Sequence, residues 1–310
     1  MIKYIKYGSG QLVEASSFDD SQIIKVVAPS PGEISLIRDT LNIPEDFLMA
    51  ALDRDERPRV EIEDTCQLLI FRVTHDDLSS DTPYTTIAMS FILTPTHVVS
   101  VCSEESTVWG ELLASRRLRF LTRPERVSFL LALFLQIGRQ YLASLRLIRD
   151  EADAAELAIH GSMKNEMLIR MLNLEKCLVF FTTSIRANEP ILDRFKRIQG
   201  RDLTEDEIDL LDDVKIEFRQ AQELADIYSN ILSGMMDAFA SVIANNLTVV
   251  LKLLTSITII LMLPTLIASV YGMNVELPFQ HSRHAFLVTM AISAIFSFGG
   301  IFLFFKKKWF

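Results

Sequence analysis

The chain has 310 residues, 49% of them hydrophobic, and a formal net charge of −9 at pH 7. The acidic excess lies in about the first 250 residues, which argues against nucleic acid as a partner and favours a cation. The three cysteines, Cys66, Cys102 and Cys177, are far apart and form no CxxC pair, which indicates reduced core residues rather than a disulfide framework or a zinc site.

The N-terminal part alternates short β-branched or aromatic runs with turn residues. Helical patterns begin at Pro31 and at Pro44, because proline followed by acidic residues favours the first turn of a helix. The sequence therefore predicts an α/β domain over residues 1–120. Its predicted strands are Ile2–Tyr7, Ile23–Ala28, Cys66–Val73, Thr85–Leu93 and His97–Cys102.

Residues 121–203 have a helical period. We predict one helix from about Thr122 to near Gly161 and another from Ser162 to about Asn188, with a break at Pro190. The apolar stretch Phe129–Leu135 is too short to cross a bilayer and is expected to be a buried helix face.

Thr204-Glu205-Asp206-Glu207 has the pattern of a capping box, in which Thr204 and Glu207 satisfy each other's free backbone donors. No proline follows until Pro264, so one unbroken helix is predicted over residues 204–271. At about 1.5 Å per residue, such a helix extends roughly 100 Å. It is expected to associate with copies of itself or with the other long helices.

Two uncharged runs, Leu253–Val275 and Ala285–Phe305, are each long enough to cross a bilayer, which takes about 20 residues. The cluster Lys306-Lys307-Lys308 closes the second run and is expected to stay on the cytoplasmic side. The N-terminus has no apolar region of a secretory signal. The sequence therefore predicts a multi-pass protein of the plasma (inner) membrane with both termini in the cytoplasm. The expected segments are an external loop over 272–284, a second transmembrane helix over 285–305 and a basic tail over 306–310.

Small polar residues recur along the first membrane run and its approach, and with Leu251 and Met262 filling the gaps they follow a 3-4-3-4 spacing, which is typical of the seam of a left-handed helix bundle. Only Ser256 departs from this spacing. Close packing of membrane helices explains such residues about equally well. The stripe nevertheless continues across the whole span to Asn274, which favours a pore lined by several copies of this helix. The predicted pore-lining residues are Asp237, Thr248, Leu251, Thr255, Thr258, Met262, Thr265 and Ser269. Leu251, Leu254 and Met262 are candidates for a hydrophobic constriction, although helix packing explains Leu254 equally well.

Tyr271-Gly272-Met273-Asn274 ends the first membrane run, and at this position the tetrapeptide resembles the CorA-type magnesium and cobalt transporters. The resemblance covers the whole chain and includes Leu52-Asp53 followed by Arg57-Pro58-Arg59. One difference follows the motif, because Val275-Glu276-Leu277-Pro278-Phe279 stands where the family often has Met-Pro-Glu-Leu.

The resemblance implies a funnel-shaped homopentamer that takes up Mg²⁺, and also cobalt or nickel. Its entrance would be a selectivity loop of Tyr271, Gly272, Met273 and Asn274. Mg²⁺ gives up its water reluctantly, so neutral carbonyl oxygens of Asn274 and Gly272 suit a hydrated ion. Uptake needs no ATP, because a divalent ion gains about 4.6 kcal/mol per 100 mV, twice the value for one charge.

The resemblance also implies a regulatory Mg²⁺ site between subunits. Counting back from Asn274 without gaps, Asp213 falls at the family's interfacial aspartate. Its partner in the N-terminal domain is not defined by the sequence. The acidic stretch His75–Asp81 is a candidate for this partner, but its polar composition favours a solvated loop.

Two alternatives stay open, a zinc transporter of the same family and a membrane-anchored coiled-coil sensor without a pore. His281 and His284 lie in the predicted outer loop and could contact a softer metal. The chain has neither a GxxxxGK[ST] phosphate loop nor a GxSxG nucleophile motif, so neither an enzyme nor an organic cofactor is expected.

Overall fold

The computed structural model describes residues 1–8, 11–77, 79–114, 126–161, 165–200, 202–279 and 282–307. The chain divides into two compact units, Met1–Gly234 and Met235–Phe310. Four residues named in the sequence analysis lie outside the described residues. They are the predicted helix starts Thr122 and Ser162, the loop residue His281, and Lys308, the last lysine of the basic cluster.

The first unit contains a seven-stranded sheet of order β2-β1-β3-β7-β6-β5-β4. The β3–β7 pair is parallel, and the other neighbouring pairs are antiparallel. The strands are β1 (Ile2–Gly8), β2 (Gln11–Glu14), β3 (Ile23–Val27), β4 (Arg59–Glu63), β5 (Cys66–Asp76), β6 (Tyr84–Leu93) and β7 (Val98–Cys102). All five predicted strands are present. The two strands that were not predicted, β2 and β4, are the edge strands, which are short and rich in polar residues.

Six helices accompany this sheet in the described part of the chain, and the last continues into the second unit. They are α1 (Pro31–Leu41), α2 (Glu45–Ala50), α3 (Thr107–Ala114), α4 (Arg126–Gly161), α5 (Asn165–Gln199) and α6 (Glu205–Tyr271). Of these, α3 was not predicted. The helices α1 and α2 share a core with one face of the sheet. On the other face, the ring of Phe134 in α4 lies 4.3 Å from that of Phe71 and 5.5 Å from that of Phe91.

The predicted break at Pro190 is wrong, because α5 continues through this proline. A proline inside a helix costs about 3 kcal/mol. Ile185 precedes it and Ile191, Leu192 and Phe195 follow it, and all four side chains are buried. Each such burial contributes about 1.5–3 kcal/mol, so their combined packing outweighs the proline and keeps the helix continuous.

Two expectations about the core are confirmed. The stretch Phe129–Leu135 of α4 is buried throughout. By length and composition α4 is one of three described helices that could cross a membrane, but 78% of its apolar window is buried inside the protein. The three cysteines are buried and free. Burial raises the pKa of the Cys102 thiol to about 11, so this thiol stays protonated at neutral pH.

The capping box at the start of α6 is confirmed. The Thr204 amide donates to Glu207 Oε2 at 3.0 Å, and the Glu207 amide donates to Thr204 Oγ1 at 3.3 Å. Helix α6 then runs for 67 residues without interruption.

The second unit consists of the C-terminal part of α6, a connecting loop and helix α7 (Ala285–Lys306). Both helices are long and apolar enough to cross a membrane. They contact each other through Gly300 of α7, where an added Cβ would lie 3.4 Å from Leu263 and 3.8 Å from Ile260. Large apolar side chains on both helices are exposed, among them Leu266 and Phe302.

Candidate functional site

The four predicted selectivity residues lie together at the C-terminal end of α6. The Gly272 amide donates to the Ala268 carbonyl at 2.9 Å, and the Met273 amide donates to the Val270 carbonyl at 3.2 Å. The next residue, Asn274, is exposed. The C-terminus of a helix carries a partial negative charge from its free carbonyl groups. This end of α6 therefore favours a cation even without an acidic side chain.

Gly272 contributes space rather than an unusual backbone conformation. Its φ angle is not in the left-handed region, but an added Cβ would lie 3.3 Å from the Ala268 carbonyl oxygen. The lack of room for a side chain, rather than a positive φ angle, therefore favours glycine at this position. The loop that follows α6 is held at both ends by one hydrogen bond. The Tyr271 hydroxyl, at the end of α6, donates to the Pro278 carbonyl at 3.4 Å.

The predicted pore-lining residues share one exposed face of α6. All eight, from Asp237 to Ser269, are exposed in the single chain. The opposite face turns towards α7, because Ile260 and Leu263 contact Gly300, and Pro264 and Tyr271 share a cavity with α7. Successive residues of an α-helix are rotated by about 100° around its axis. On this basis, the stripe from Leu251 to Ser269 points roughly 180° away from the four residues that face α7. The stripe is therefore left free by α7.

Ser256 is the small polar residue of this run that lies outside the stripe, and its burial explains why. Ser256 is fully buried, and its hydroxyl donates to the Lys252 carbonyl at 2.8 Å. It lies on the side of α6 that faces α7, whereas its neighbour Thr255 is exposed. Ser256 therefore belongs to the packing between the two helices.

Asp213 is exposed on α6 in the first unit. Two ion pairs join α5 to the part of α6 around Asp213, and one of them takes up its neighbour Asp212. Lys196 Nζ lies 3.1 Å from Asp212 Oδ1, and Lys215 Nζ lies 2.6 Å from Asp193 Oδ1. The hydrogen bond from Lys215 lowers the pKa of Asp193. No group of three or more His, Cys, Asp or Glu side chains that could hold a metal ion occurs among the residues that the structure describes.

The stretch His75–Asp81 is only partly the loop that was predicted. His75 and Asp76 belong to β5, where they pair with Thr85 and Tyr84 of β6. The His75 Nε2 atom lies 3.0 Å from Glu104 Oε2, so this histidine is engaged with a neighbouring segment. Pairing with β6 decides the structure here, whereas the prediction relied on the local polar composition.

Comparison with known proteins shows the family to which the chain belongs. The family described as CorA-like Mg²⁺ transporter protein matches residues 19–307. The chain therefore belongs to the CorA family of membrane ion transporters, as the Tyr-Gly-Met-Asn motif indicated. It is 25% identical to the cobalt/magnesium transport protein CorA of Methanocaldococcus jannaschii, with 97% of this chain and 96% of that protein covered. The corresponding protein of Thermotoga maritima is 26% identical, with 83% of this chain and 74% of that protein covered.

Solved structures confirm the fold. The complete structure of the CorA magnesium transporter from Methanocaldococcus jannaschii has a TM-score of 0.86 at 23% identity, covering 100% of this chain and 99% of that one. The cytoplasmic domain of ZntB from Vibrio parahaemolyticus has a TM-score of 0.60 at 11% identity, covering 78% of this chain and 98% of that one. At these identities the likeness concerns the fold alone, an α/β domain followed by long helices.

Proposed function

We propose that this chain forms a homo-oligomeric channel, a pentamer, that takes up Mg²⁺ across the plasma membrane and also passes cobalt or nickel. The observation that carries the proposal is the free polar face of α6. This face runs to Ser269, five residues before Asn274, and is turned away from α7. Copies of α6 arranged around an axis would bury these hydroxyl groups against a hydrated path instead of lipid.

The membrane-facing surfaces support the same arrangement. Phe286, Phe298 and Phe305 of α7 are all more than two-thirds exposed in the single chain, which suits contact with lipid. In this proposal α7 forms an outer ring, residues 272–284 face outside, and residues 1–203 and 306–310 lie in the cytoplasm. The inside-negative potential then drives entry of the ion.

The loop sequence suits a hydrated ion. Asn274 offers a neutral side-chain carbonyl, and Gly272 offers a backbone carbonyl at the negative end of the α6 dipole. Neutral oxygens in a ring can hydrogen-bond the waters of Mg²⁺ without holding the ion too tightly for conduction. Leu251 and Met262, further along the same exposed face, are the proposed hydrophobic constriction.

Transport into liposomes tests this proposal. The purified chain would be reconstituted, and fluxes of Mg²⁺, Co²⁺ and Zn²⁺ compared at an inside-negative potential. We expect Mg²⁺ flux in the wild type and its loss in Asn274→Ala. The matched control is Val275→Ala, which truncates the exposed neighbouring residue without removing an oxygen. An intact flux in Asn274→Ala would contradict the proposed entrance, and zinc flux above that of magnesium would favour the zinc alternative.

We further propose that cytoplasmic Mg²⁺ closes the channel by binding at Asp213. Because no described cluster supplies three such ligands within one chain, a second copy would complete the site. Magnesium should then protect the first unit from proteolysis in the wild type. Asp213→Ala should lose that protection, whereas Asp209→Ala, an exposed carboxylate one turn earlier on α6, should keep it. Equal cleavage of wild type and Asp213→Ala in magnesium would refute this regulation.

A further inference from the structure

Three lysines lie at one end of the helix pair in the second unit, where the apolar surface of the two helices stops. Lys252 directly precedes the uncharged run of α6, and Lys306 and Lys307 directly follow that of α7. All three side chains are exposed. Basic residues immediately next to the cytoplasmic end of a membrane helix attract anionic lipids.

The packing of α6 and α7 brings these lysines to a similar depth. The two helices are antiparallel, because the first turn of α7 lines a cavity with Tyr271 at the end of α6, whereas Gly300 contacts Ile260, which lies much earlier in α6. At about 1.5 Å per residue, Lys306 lies roughly 10 Å and Lys252 roughly 14 Å beyond the Gly300 contact, in the same direction.

The two helices remain packed together beyond the Gly300 contact. Ser256, one turn before Ile260, is fully buried, and Phe304, one turn after Gly300, is only 9% exposed. The Ser256 hydroxyl donates to the Lys252 carbonyl at 2.8 Å. The lysines of α6 and α7 therefore belong to one edge of a packed helix pair rather than to two separate helix ends.

The chain does not neutralise these charges. No acidic side chain occurs between Asp237 and Glu276 or after Glu276. Within the described residues, no carboxylate forms an ion pair with Lys252, Lys306 or Lys307. In the first unit, by contrast, five of the six described lysines lie within ion-pair distance of a carboxylate. The lysines of the second unit therefore favour an anion from outside the chain.

The surface beside the lysines is apolar, which favours one kind of anion. Leu254 of α6 and Leu303 and Phe305 of α7 are each more than half exposed, which suits contact with lipid tails. Lys252 lies outside the polar stripe, because it is rotated by about 100° from Leu251 around the axis of α6. A free phosphate would contact only the lysines, whereas a phospholipid would contact both the lysines and the apolar surface.

We propose that Lys252, Lys306 and Lys307 together bind the headgroup phosphate of an anionic phospholipid, whose acyl chains lie along α6 and α7. Lysine is suited to this role, because its ammonium group donates to phosphate oxygens while its aliphatic part stays on the apolar surface. The inference rests on the proposed membrane placement of the two helices, but it needs neither a pore nor a transported ion.

Native mass spectrometry of the full chain in detergent tests this inference. Dioleoyl-phosphatidylglycerol is the anionic probe, and dioleoyl-phosphatidylcholine is its zwitterionic match with the same acyl chains. Each lysine near an anionic lipid surface strengthens binding by about fivefold, so we expect phosphatidylglycerol to bind at least about tenfold more tightly. Lys306→Gln combined with Lys307→Gln should reduce this preference by about tenfold or more, and Lys252→Gln should reduce it by about fivefold.

Three controls separate charge from packing. Lys306→Arg combined with Lys307→Arg keeps both charges and should keep the preference. Lys176→Gln removes the charge of an exposed lysine in the first unit and should leave the preference unchanged. Added salt should weaken binding of phosphatidylglycerol to the unmodified chain, because it screens exposed charges. Circular dichroism shows whether each variant folds.

The inference is overturned if the two lipids bind equally well or if folded glutamine variants keep the preference. It is also overturned if inorganic phosphate displaces phosphatidylglycerol at an ionic strength at which chloride does not, because a free phosphate would then be the ligand. The transport assay gives a separate readout. Intact flux without a lipid preference would refute only this inference, whereas absent flux with the preference retained would refute only the transport proposal.

Discussion

The substitution Asn188→Leu tests how α5 is held to the sheet. Asn188 is fully buried. Its Oδ1 accepts from the Arg72 amide at 2.9 Å, and its Nδ2 donates to the Arg72 carbonyl at 2.8 Å. The last pair between β4 and β5 is Arg59 with Ile70, so at Arg72 the edge strand has already ended. The side-chain amide therefore takes the place of a strand residue that is missing there.

The expected loss can be estimated from these bonds. Removing two hydrogen bonds costs about 1 kcal/mol each, and leaving the Arg72 amide buried without an acceptor adds about 1–3 kcal/mol. The Arg72 carbonyl keeps one partner, because the Tyr141 hydroxyl donates to it at 2.9 Å. The total is about 3–5 kcal/mol, which corresponds to a fall of roughly 6–20 °C in the unfolding temperature of a domain of this size.

Thermal unfolding of the full chain, followed by circular dichroism, measures this effect. The control is Asn230→Leu, the same substitution at an exposed position of α6, which should change stability by less than about 0.5 kcal/mol. A loss below about 1 kcal/mol in Asn188→Leu would refute the argument, because it would mean that the Arg72 amide does not need this acceptor. Tyr141→Phe combined with Asn188→Leu should show a non-additive loss, since both side chains bind the same carbonyl.

Three further substitutions have expected outcomes. Burial lowers the pKa of His97, so the unfolded chain takes up a proton near pH 6.5 that the folded state resists. Stability should therefore fall as the pH is lowered through about 6.5, and His97→Phe, which keeps a ring against Phe18, should reduce this dependence in urea unfolding at several pH values. Thr258→Val should lower ion flux in liposomes, whereas Thr289→Val, which removes an equivalent hydroxyl bonded within α7, should not. Thr204→Ala should lower the free energy of unfolding by about 0.5–2 kcal/mol through loss of the α6 cap, and an unchanged denaturation midpoint would contradict this.

Local signals predicted the elements whose residues repeat a pattern. The central strands are runs of buried β-branched and aromatic residues, and the start of α6 carries its own cap in Thr204 and Glu207. Elements without such a signal were missed. The edge strand β4 is short and charged, and its position depends on pairing with β5 rather than on its own composition.

Contacts between distant segments explain the errors. The continuation of α5 through Pro190 depends on Ile191 and Phe195 packing into the core, which no local rule for proline includes.

The sequence by itself determined the family, the two apolar runs and the Tyr-Gly-Met-Asn loop, because hydropathy and a short motif are local properties. It also defined the stripe of small polar residues from Thr248 to Ser269, whose length favoured a pore lining, but it did not show which side of α6 packs on α7. Only the tertiary structure decided which side of α6 packs on α7, because that choice depends on the contact of Ile260 and Leu263 with Gly300. With that side occupied, the stripe is left free, and its placement around a shared axis is the proposal that ion flux can test.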